Sequence, residues 1–290
     1  MERLAKQPPL ERLGTPEDIA AVIVFLVSPA GHWVNGQVVR QRRHHLTSGE
    51  IMMTTSKTVL VTGATSGIGA HTARLLLDRG HRVAVTGRDQ GKLDTFLDGV
   101  EAADRVLGVL ADAADWEATK AAVARTVDHF GSLDAAVANA GFASADGQHT
   151  LGATITEDGD PELWPSMVLT NVLGPALLAK AALPHLEQTG GRLVLVGSVA
   201  GLKNSPANLY SATKWAVVGL AENIRLHATA RGVGVTVVNP GMIDTPFWRG
   251  VVPPFAMGPE PVAEAICFAL DQPSGVDLNT LTIRPIGQPV

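Results

Sequence analysis

Residues 58–69 read TVLVTGATSGIG. An apolar, β-branched run from Thr58 to Thr62 ends in a turn with glycines at 63, 67 and 69, and a helical pattern follows through Leu77. Short continuous runs of this kind read as strands buried on both faces. Glycine takes backbone conformations that other residues resist and allows close approach. A helix that begins at such a turn points unpaired N–H groups toward an anion. The stretch is therefore the first strand, turn and helix of an α/β unit, and a dinucleotide pyrophosphate fits the anion it calls for.

The pattern continues outward. RVAVT (82–86), VLGVLA (106–111), LDAAVA (133–138), RLVLVG (192–197) and VGVTVV (233–238) repeat the buried-strand theme. Between them, stretches such as DWEATKAAVARTVDHFG (115–131) carry apolar residues at helical spacing. EPVAEAICFALD (260–271) supplies a last helix and LTIRPIG (281–287) a last strand. The alternation predicts a single α/β domain over residues 53–290, a doubly wound parallel sheet with helices on both faces. Residues 1–52 are expected to be an extra, partly mobile segment with a helix of their own.

Bulk properties narrow the function classes. Of 290 residues, 46% are hydrophobic and 18% charged, enough for a packed core. A net charge of -5 gives no reason to expect nucleic acid or an anionic membrane as partner. The nine histidines show no ligand spacing, so no metal is expected. The one cysteine, Cys267, stands in an apolar run, where it reads as a core residue. It excludes an internal disulfide and fits a reducing, cytoplasmic setting. No apolar run reaches the roughly 18 residues of a membrane span. The nearest, IAAVIVFLV (19–27), follows Pro16-Glu17-Asp18, acids that suit a helix N-terminus better than a signal peptide.

Residue chemistry sharpens the reading. The second strand ends in Gly87-Arg88-Asp89. A carboxylate at this point holds the ribose hydroxyls of NAD, whereas an arginine accommodates the extra phosphate of NADP. Glycine at 87 and arginine at 88 favour NADP(H) over NAD(H). The alternative makes Arg88 a surface charge and gives the ribose to Asp89. Asp112, after the third strand, is placed either to meet the adenine amine or to cap the next helix. YSATK puts Tyr210 and Lys214 four apart, on one face of a helix. A neighbouring ammonium favours the phenolate and lowers the phenol pKa, giving a proton donor and acceptor usable near neutrality. Tyr210 is the only tyrosine in the chain. Ser198 follows RLVLVG, at the carboxyl end of a strand, where ligands bind in such sheets.

From about Met53 to Val290 the chain resembles the short-chain dehydrogenase/reductase family. The resemblance lies in TGATSGIG (62–69), ANAG (138–141), TNVLG with Asn171, GSVAG with Ser198, YSATK, and NPGMIDT (239–245), all in the family's order. Ala138 departs from it, standing where the family often has a first Asn. The resemblance implies hydride transfer between a nicotinamide and a carbonyl or secondary alcohol. It implies Tyr210 as general acid/base, with Lys214 lowering its pKa and holding the nicotinamide ribose. Ser198 would bond the substrate oxygen, and Asn171 would order a helix and a relay water. Gly63, Thr65, Ser66, Gly67, Ile68, Gly69, Asn139, Gly141, Pro240, Gly241, Ile243 and Thr245 would line the cofactor. It also implies a homodimer or homotetramer through helices around Asn171 and Tyr210. VDLNTLTIRPIGQPV (276–290) resembles NADP-preferring members that oxidise small hydroxy acids or reduce assorted ketones. Met242 to Gly258 would form the substrate lid, with Phe247, Trp248, Arg249 and Phe255 on it. The other classes open to the chain are an idle NADP-binding regulator and an assembly subunit. The complete Asn171, Ser198, Tyr210 and Lys214 set argues against the first.

The front of the chain reads like an end. ERLGTPEDIAAVIVFLVSPAGHWVNGQVV (11–39) resembles the final helix and strand of another such reductase. There, Thr15-Pro16-Glu17-Asp18 would start the helix and Gly36 to Val39 the strand. If Gln41 to His45 are encoded CAA CGG CGG CAT CAT, the frame one base later reads Asn-Gly-Gly-Ile-Ile, a plausible family ending. Residues 1–52 are thus expected to be a fusion or read-through remnant, with the enzyme starting at Met52 or Met53. The runner-up is a genuine accessory segment covering a subunit surface. The basic run Arg40 to His45 reads as linker charge rather than an anion patch.

Overall fold

The computed structural model of the chain describes residues 20, 23–24, 41–42, 56–143, 155, 159–247 and 252–288. In chain order the strands are β1 (Gln41–Arg42), β2 (Thr58–Val61), β3 (Arg82–Gly87), β4 (Val106–Leu110), β5 (Ala135–Ala138), β6 (Arg192–Val196), β7 (Gly234–Pro240), β8 (Asp277–Leu278) and β9 (Thr280–Ile283). The helices are α1 (Gly67–Asp78), α2 (Gln90–Asp98), α3 (Trp116–Phe130), α4 (Trp164–Val168), α5 (Gly174–Thr189), α6 (Leu209–Ala228) and α7 (Glu260–Leu270). Seven strands form one sheet in the order β4-β3-β2-β5-β6-β7-β9. Every neighbouring pair in it is parallel.

The continuous apolar runs are strands because both of their faces are covered. Every residue of β2 and β6 is buried. Alternate side chains enter opposite cores, as the two-residue period of a strand requires. Val59, Val61, Val83 and Val85 pack with Ala73, Leu76 and Leu77 of α1 and Ile266 and Leu270 of α7. Leu60, Ala84, Leu193 and Leu195 pack with Leu178 and Leu186 of α5 and Val217 and Ala221 of α6. Burying one such side chain stabilises the fold by about 1.5–3 kcal/mol. Cys267 is fully buried among them, and burial pushes its thiol up to about 12, so it is a core residue. Helix ends follow local chemistry. Asp115 accepts from Ala118 N at 2.7 Å to start α3, and Gly131 ends it in the left-handed region (φ 84).

Arg192 opens β6, every residue of which is buried. Its guanidinium donates to Val276 O at 2.7 Å, Gln272 O at 2.8 Å and Pro273 O at 2.7 Å. Burial lowers its pKa to about 10, which leaves it cationic at neutral pH. It ties the start of β6 to the turn before β8, at the end of the sheet away from the strands' carboxyl termini.

The same end of the sheet holds a titratable contact. His81 is buried, and its Nδ1 accepts from Lys57 N at 3.1 Å, so the ring is neutral there. Burial lowers its pKa below 6.5. Lys57, Arg79 and Arg105 act in the same direction, and Asp271 opposes them. The unfolded state therefore takes up the proton first as pH falls. Stability is full above the unfolded value and declines as pH drops toward the folded one. His81→Asn keeps an acceptor for Lys57 N and removes the titration. As pH falls below about 6.5 toward 5, the native chain is expected to lose stability more steeply than this variant, by no more than about 1.4 kcal/mol per pH unit. Unfolding midpoints across pH check it, and parallel curves for the two proteins would refute it.

Of the first 55 residues, Ala20, Ile23 and Val24 are helical, with Ile23 and Val24 exposed, and β1 pairs antiparallel with β8. The expected helix start at 15–18, the strand at 36–39 and the boundary at 52–53 lie outside the described residues. One expectation needs correction. The helical stretch Pro161–Thr189 spans 29 residues and holds an 18-residue window of mean hydropathy 1.4, long and apolar enough by length and composition alone to cross a membrane. Scattered polar residues hide this in a search for unbroken apolar runs. In the fold, Met167 and Leu178, Ala179, Ala182 and Leu186 are buried within the domain.

Candidate active site

The chain runs β2, β3, β4 in one direction across the sheet and then β5, β6, β7, β9 in the other. The turns after β2 and β5 therefore separate at the carboxyl ends of the strands, leaving a crevice. A cleft of about 640 Å³ opens there.

Its floor is the glycine turn. Gly63 (φ 62) and Gly67 (φ 55) occupy the left-handed region, where an L side chain is strained. A Cβ on Gly63 would also lie 2.8 Å from Ala140 Cα. Asn139 braces the turn, its Nδ2 donating to Thr62 O at 2.9 Å and Gly63 O at 3.0 Å. Thr62 Oγ1 answers by accepting from Asn139 N and Ala140 N. Ser66 precedes α1 in an extended conformation and makes no side-chain cap bond. The first-turn N–H groups of α1 are thus left without a cap beside the cleft.

One end of the cleft is cationic, with Arg88 and Lys92 both lining it. A Cβ at Gly87 would lie 2.5 Å from Thr65 Cγ2, so Thr65 fills the space a carboxylate would need at this position. Asp89 is engaged as the cap of α2, its Oδ1 accepting from Lys92 N at 3.0 Å. Arg88 Cζ stands 5.7 Å from the Phe142 ring centre. Asp112 lines the cleft and its Oδ1 accepts from Ala114 N at 2.9 Å. Of its two sequence readings, the helix cap falls away, because Asp115 caps α3.

The other end gathers Ser198, Tyr210 and Lys214. Asn208 starts α6 by accepting from Ser211 N at 2.9 Å, which sets Tyr210 and Lys214 in its first two turns. Ala207 before it is held at φ 48, a strained conformation for a residue with a Cβ, and its carbonyl accepts from Ile155 N. Ser198 N donates to Asn239 Oδ1 at 3.2 Å, and Ser198 Oγ accepts from Ala200 N at 3.1 Å. Lys214 Nζ donates to Val196 O at 2.9 Å and lies 5.7 Å from the Tyr210 ring centre. The expected lowering of the tyrosine pKa is not what the geometry gives. Burial pushes the Tyr210 phenol up to about 12, opposed only by its hydrogen bond with Ser198. Burial also pushes the Lys214 ammonium down to about 8. In each case the charged form loses solvation, which is the largest cause of the shift.

Pro240 ends β7, and Gly241, Ile243 and Thr245 follow it along the same wall. Gly241 N donates to Ile283 O at 2.7 Å, and Gln288 Oε1 accepts from Met242 N at 3.0 Å. The C-terminal strand and turn thus hold this segment. The Phe247 ring lies 5.7 Å from that of Tyr210. Trp248 and Arg249 lie outside the described residues.

Gly63, Thr65, Ser66, Gly67, Ile68, Arg88, Asp112, Asn139, Gly141, Ser198, Tyr210, Lys214, Pro240, Gly241, Ile243 and Thr245 therefore meet in one cleft. Gly69 and Asn171 stand behind its wall, Gly69 against Asn139 and Gly63. Asn171 occupies a π-helical turn, Leu169–Leu173, between α4 and α5. Such turns recur at functional sites and leave little trace in sequence. Lys92, Phe142, Ser205 and Asn208 also line the cleft and were missed. Lys92 had a signal, since it stands in the first turn of α2, just past Arg88 and the Asp89 cap.

A parallel doubly wound sheet with a glycine turn after its first strand is a Rossmann-type domain. Residues 57–254 match the family model for short chain dehydrogenase, and the chain belongs to that family. An uncharacterized oxidoreductase of Staphylococcus saprophyticus is 34% identical over 241 residues, covering 79% of this chain and 97% of its own. Among solved structures, an alcohol dehydrogenase from Thermococcus sibiricus complexed with 5-hydroxy-NADP superposes with a TM-score of 0.71 at 27% identity, over 81% of this chain and 99% of that one. A 3-ketoacyl-(acyl-carrier-protein) reductase from Brucella melitensis complexed with NADH gives 0.69 at 25% identity, over 79% and 96%.

Proposed function

We propose that the protein is an NADP(H)-dependent oxidoreductase that interconverts a carbonyl and a secondary alcohol. The observation that carries this reading is one cleft with a buried Ser198–Tyr210–Lys214 group at one end and Arg88 with Lys92 at the other. The residues fit a dinucleotide. Gly63 and Gly67 leave backbone open to the cleft, the uncapped start of α1 suits a pyrophosphate, and Arg88 and Lys92 suit a 2′-phosphate. When bound, the nicotinamide supplies or accepts the hydride.

The chain's own residues do the rest. Near neutrality Tyr210 keeps its proton on Oη, because burial holds its pKa near 12. It is therefore a donor to a substrate carbonyl oxygen in reduction. Ser198 Oγ shares a hydrogen bond with Tyr210 and orients the same oxygen. Lys214 is charged at neutral pH, and its ammonium favours the phenolate left once the proton departs. The substrate end carries Met242 and Phe247 together with the neutral polar Ser205 and Asn208. These suit an uncharged body with one carbonyl.

The test uses the full chain with NADPH and NADH separately, following nicotinamide absorbance over a panel of ketones, aldehydes and keto acids. NADPH oxidation is expected. A folded protein that neither turns over nor binds NADPH would sink the assignment. Residues 1–52 are proposed to be dispensable, so a chain starting at Met53 should turn over equally, and its loss of activity while folded would make the segment essential. We further propose a homo-oligomer through the exposed Leu169, Leu173 and Trp215, which lie on the π-turn and the helix packed against it. Leu173→Glu should then reduce the mass seen by light scattering.

A further inference from the structure

Thr213 lies between Tyr210 and Lys214 on α6, and only 3% of it is exposed. Its hydroxyl donates to Tyr210 O at 2.7 Å, a bond back to the preceding turn. Asn171 Nδ2 in turn approaches Thr213 Oγ1 at 3.1 Å. A hydroxyl has one hydrogen. With that hydrogen on Tyr210 O, Thr213 Oγ1 can only accept from Asn171. On its other side the Asn171 amide clasps the backbone of Phe142. Its Oδ1 accepts from Phe142 N at 3.0 Å and its Nδ2 donates to Phe142 O at 2.9 Å. Both Nδ2 hydrogens are then used, and the reversed amide would set an oxygen against two acceptors. Asn171 is 1% exposed, so water offers no substitute partner. The loop it clasps borders the chemistry, since a Cβ on Gly141 would lie 3.0 Å from Asn171 Oδ1 and 3.5 Å from Lys214 Nζ.

We propose that Thr213 is a positioning residue, whose hydroxyl orients Asn171 and joins the π-turn to the helix bearing Tyr210 and Lys214, so that the three move as one body. The proposal rests on Tyr210 as the proton donor. Thr213→Val keeps the side-chain shape but removes both bonds and leaves a buried Nδ2 hydrogen without a partner. It is expected to lower kcat about tenfold, within the hundredfold that a misplacement of about 1 Å can cost. KM and NADPH affinity should stay within about threefold, because the lost bonds touch neither ligand. The pKa in the kcat–pH profile should move, and Thr213→Ser should restore both. Thr213→Ala removes the same bonds with less crowding and serves if the valine variant fails to fold. An unchanged kcat and pH profile in a folded variant would overturn the proposal, as would a loss that serine does not rescue. Tyr210→Phe is assayed beside them. Turnover retained there overturns the donor assignment itself, whereas turnover lost there but kept in Thr213→Val refutes only the role of Thr213.

Discussion

Tyr210→Phe is expected to reduce turnover about 100- to 10,000-fold, the range that a positioned proton donor supplies. The substitution removes only Oη. The ring stays in its buried place beside Phe247, so folding and NADPH binding should change little. No second phenol can take over, because the chain has no other tyrosine. Ser198 remains within reach of the substrate oxygen, but an alcohol is a far weaker acid, and its oxygen already accepts from Ala200 N. Lys214 cannot reach across while its Nζ is held on Val196 O. Steady-state kcat with NADPH, read beside the unfolding midpoint, checks this. A loss of less than about tenfold in a folded variant would move the donor to another group.

Arg88→Ala is expected to weaken NADPH binding about 10- to 100-fold and leave NADH nearly untouched, since a charge-assisted bond to a phosphate contributes about 1.5–3 kcal/mol. Lys92→Ala should have a smaller effect in the same direction, because its ammonium acts as a point charge without the planar fork of arginine. Combining the two should bring the two cofactors to similar affinity. The reverse switch is obstructed. An acid at position 87 meets Thr65 Cγ2, so Gly87→Asp alone should lose NADPH without gaining NADH, and Thr65→Ser should be needed beside it. Titration calorimetry with both nucleotides decides this. Equal losses for NADPH and NADH in Arg88→Ala would return Arg88 to a surface charge.

The fold was legible wherever one residue type has one structural use. TVLV and RLVLV could only be strands covered on both faces, and the glycine spacing could only be a sharp turn into a helix. Most of the cleft was legible for the same reason. Ser198, Tyr210, Lys214 and Arg88 stand at strand ends or in a helix's first turns, positions that chain order and period locate. The second cation at Lys92 was overlooked although its place just past Arg88 was available. The π-turn at Leu169–Leu173 was not legible, because its sequence is that of an ordinary helix and the extra residue per turn is settled by packing.

Chain order and side-chain period were enough for the parallel sheet, the glycine turn and the Tyr210–Lys214 pair, because each depends on neighbours a few residues away. Contacts between residues far apart in the chain decided the rest. Burial moved the Tyr210 phenol up and the Lys214 ammonium down, against an expectation drawn from their mutual charge alone. Thr65 closed position 87 to a carboxylate from across the turn. Asn171 came to serve Phe142 and Thr213 from behind the wall. Solvation and hydrogen-bond partners are properties of the packed interior, and only the folded chain supplies them.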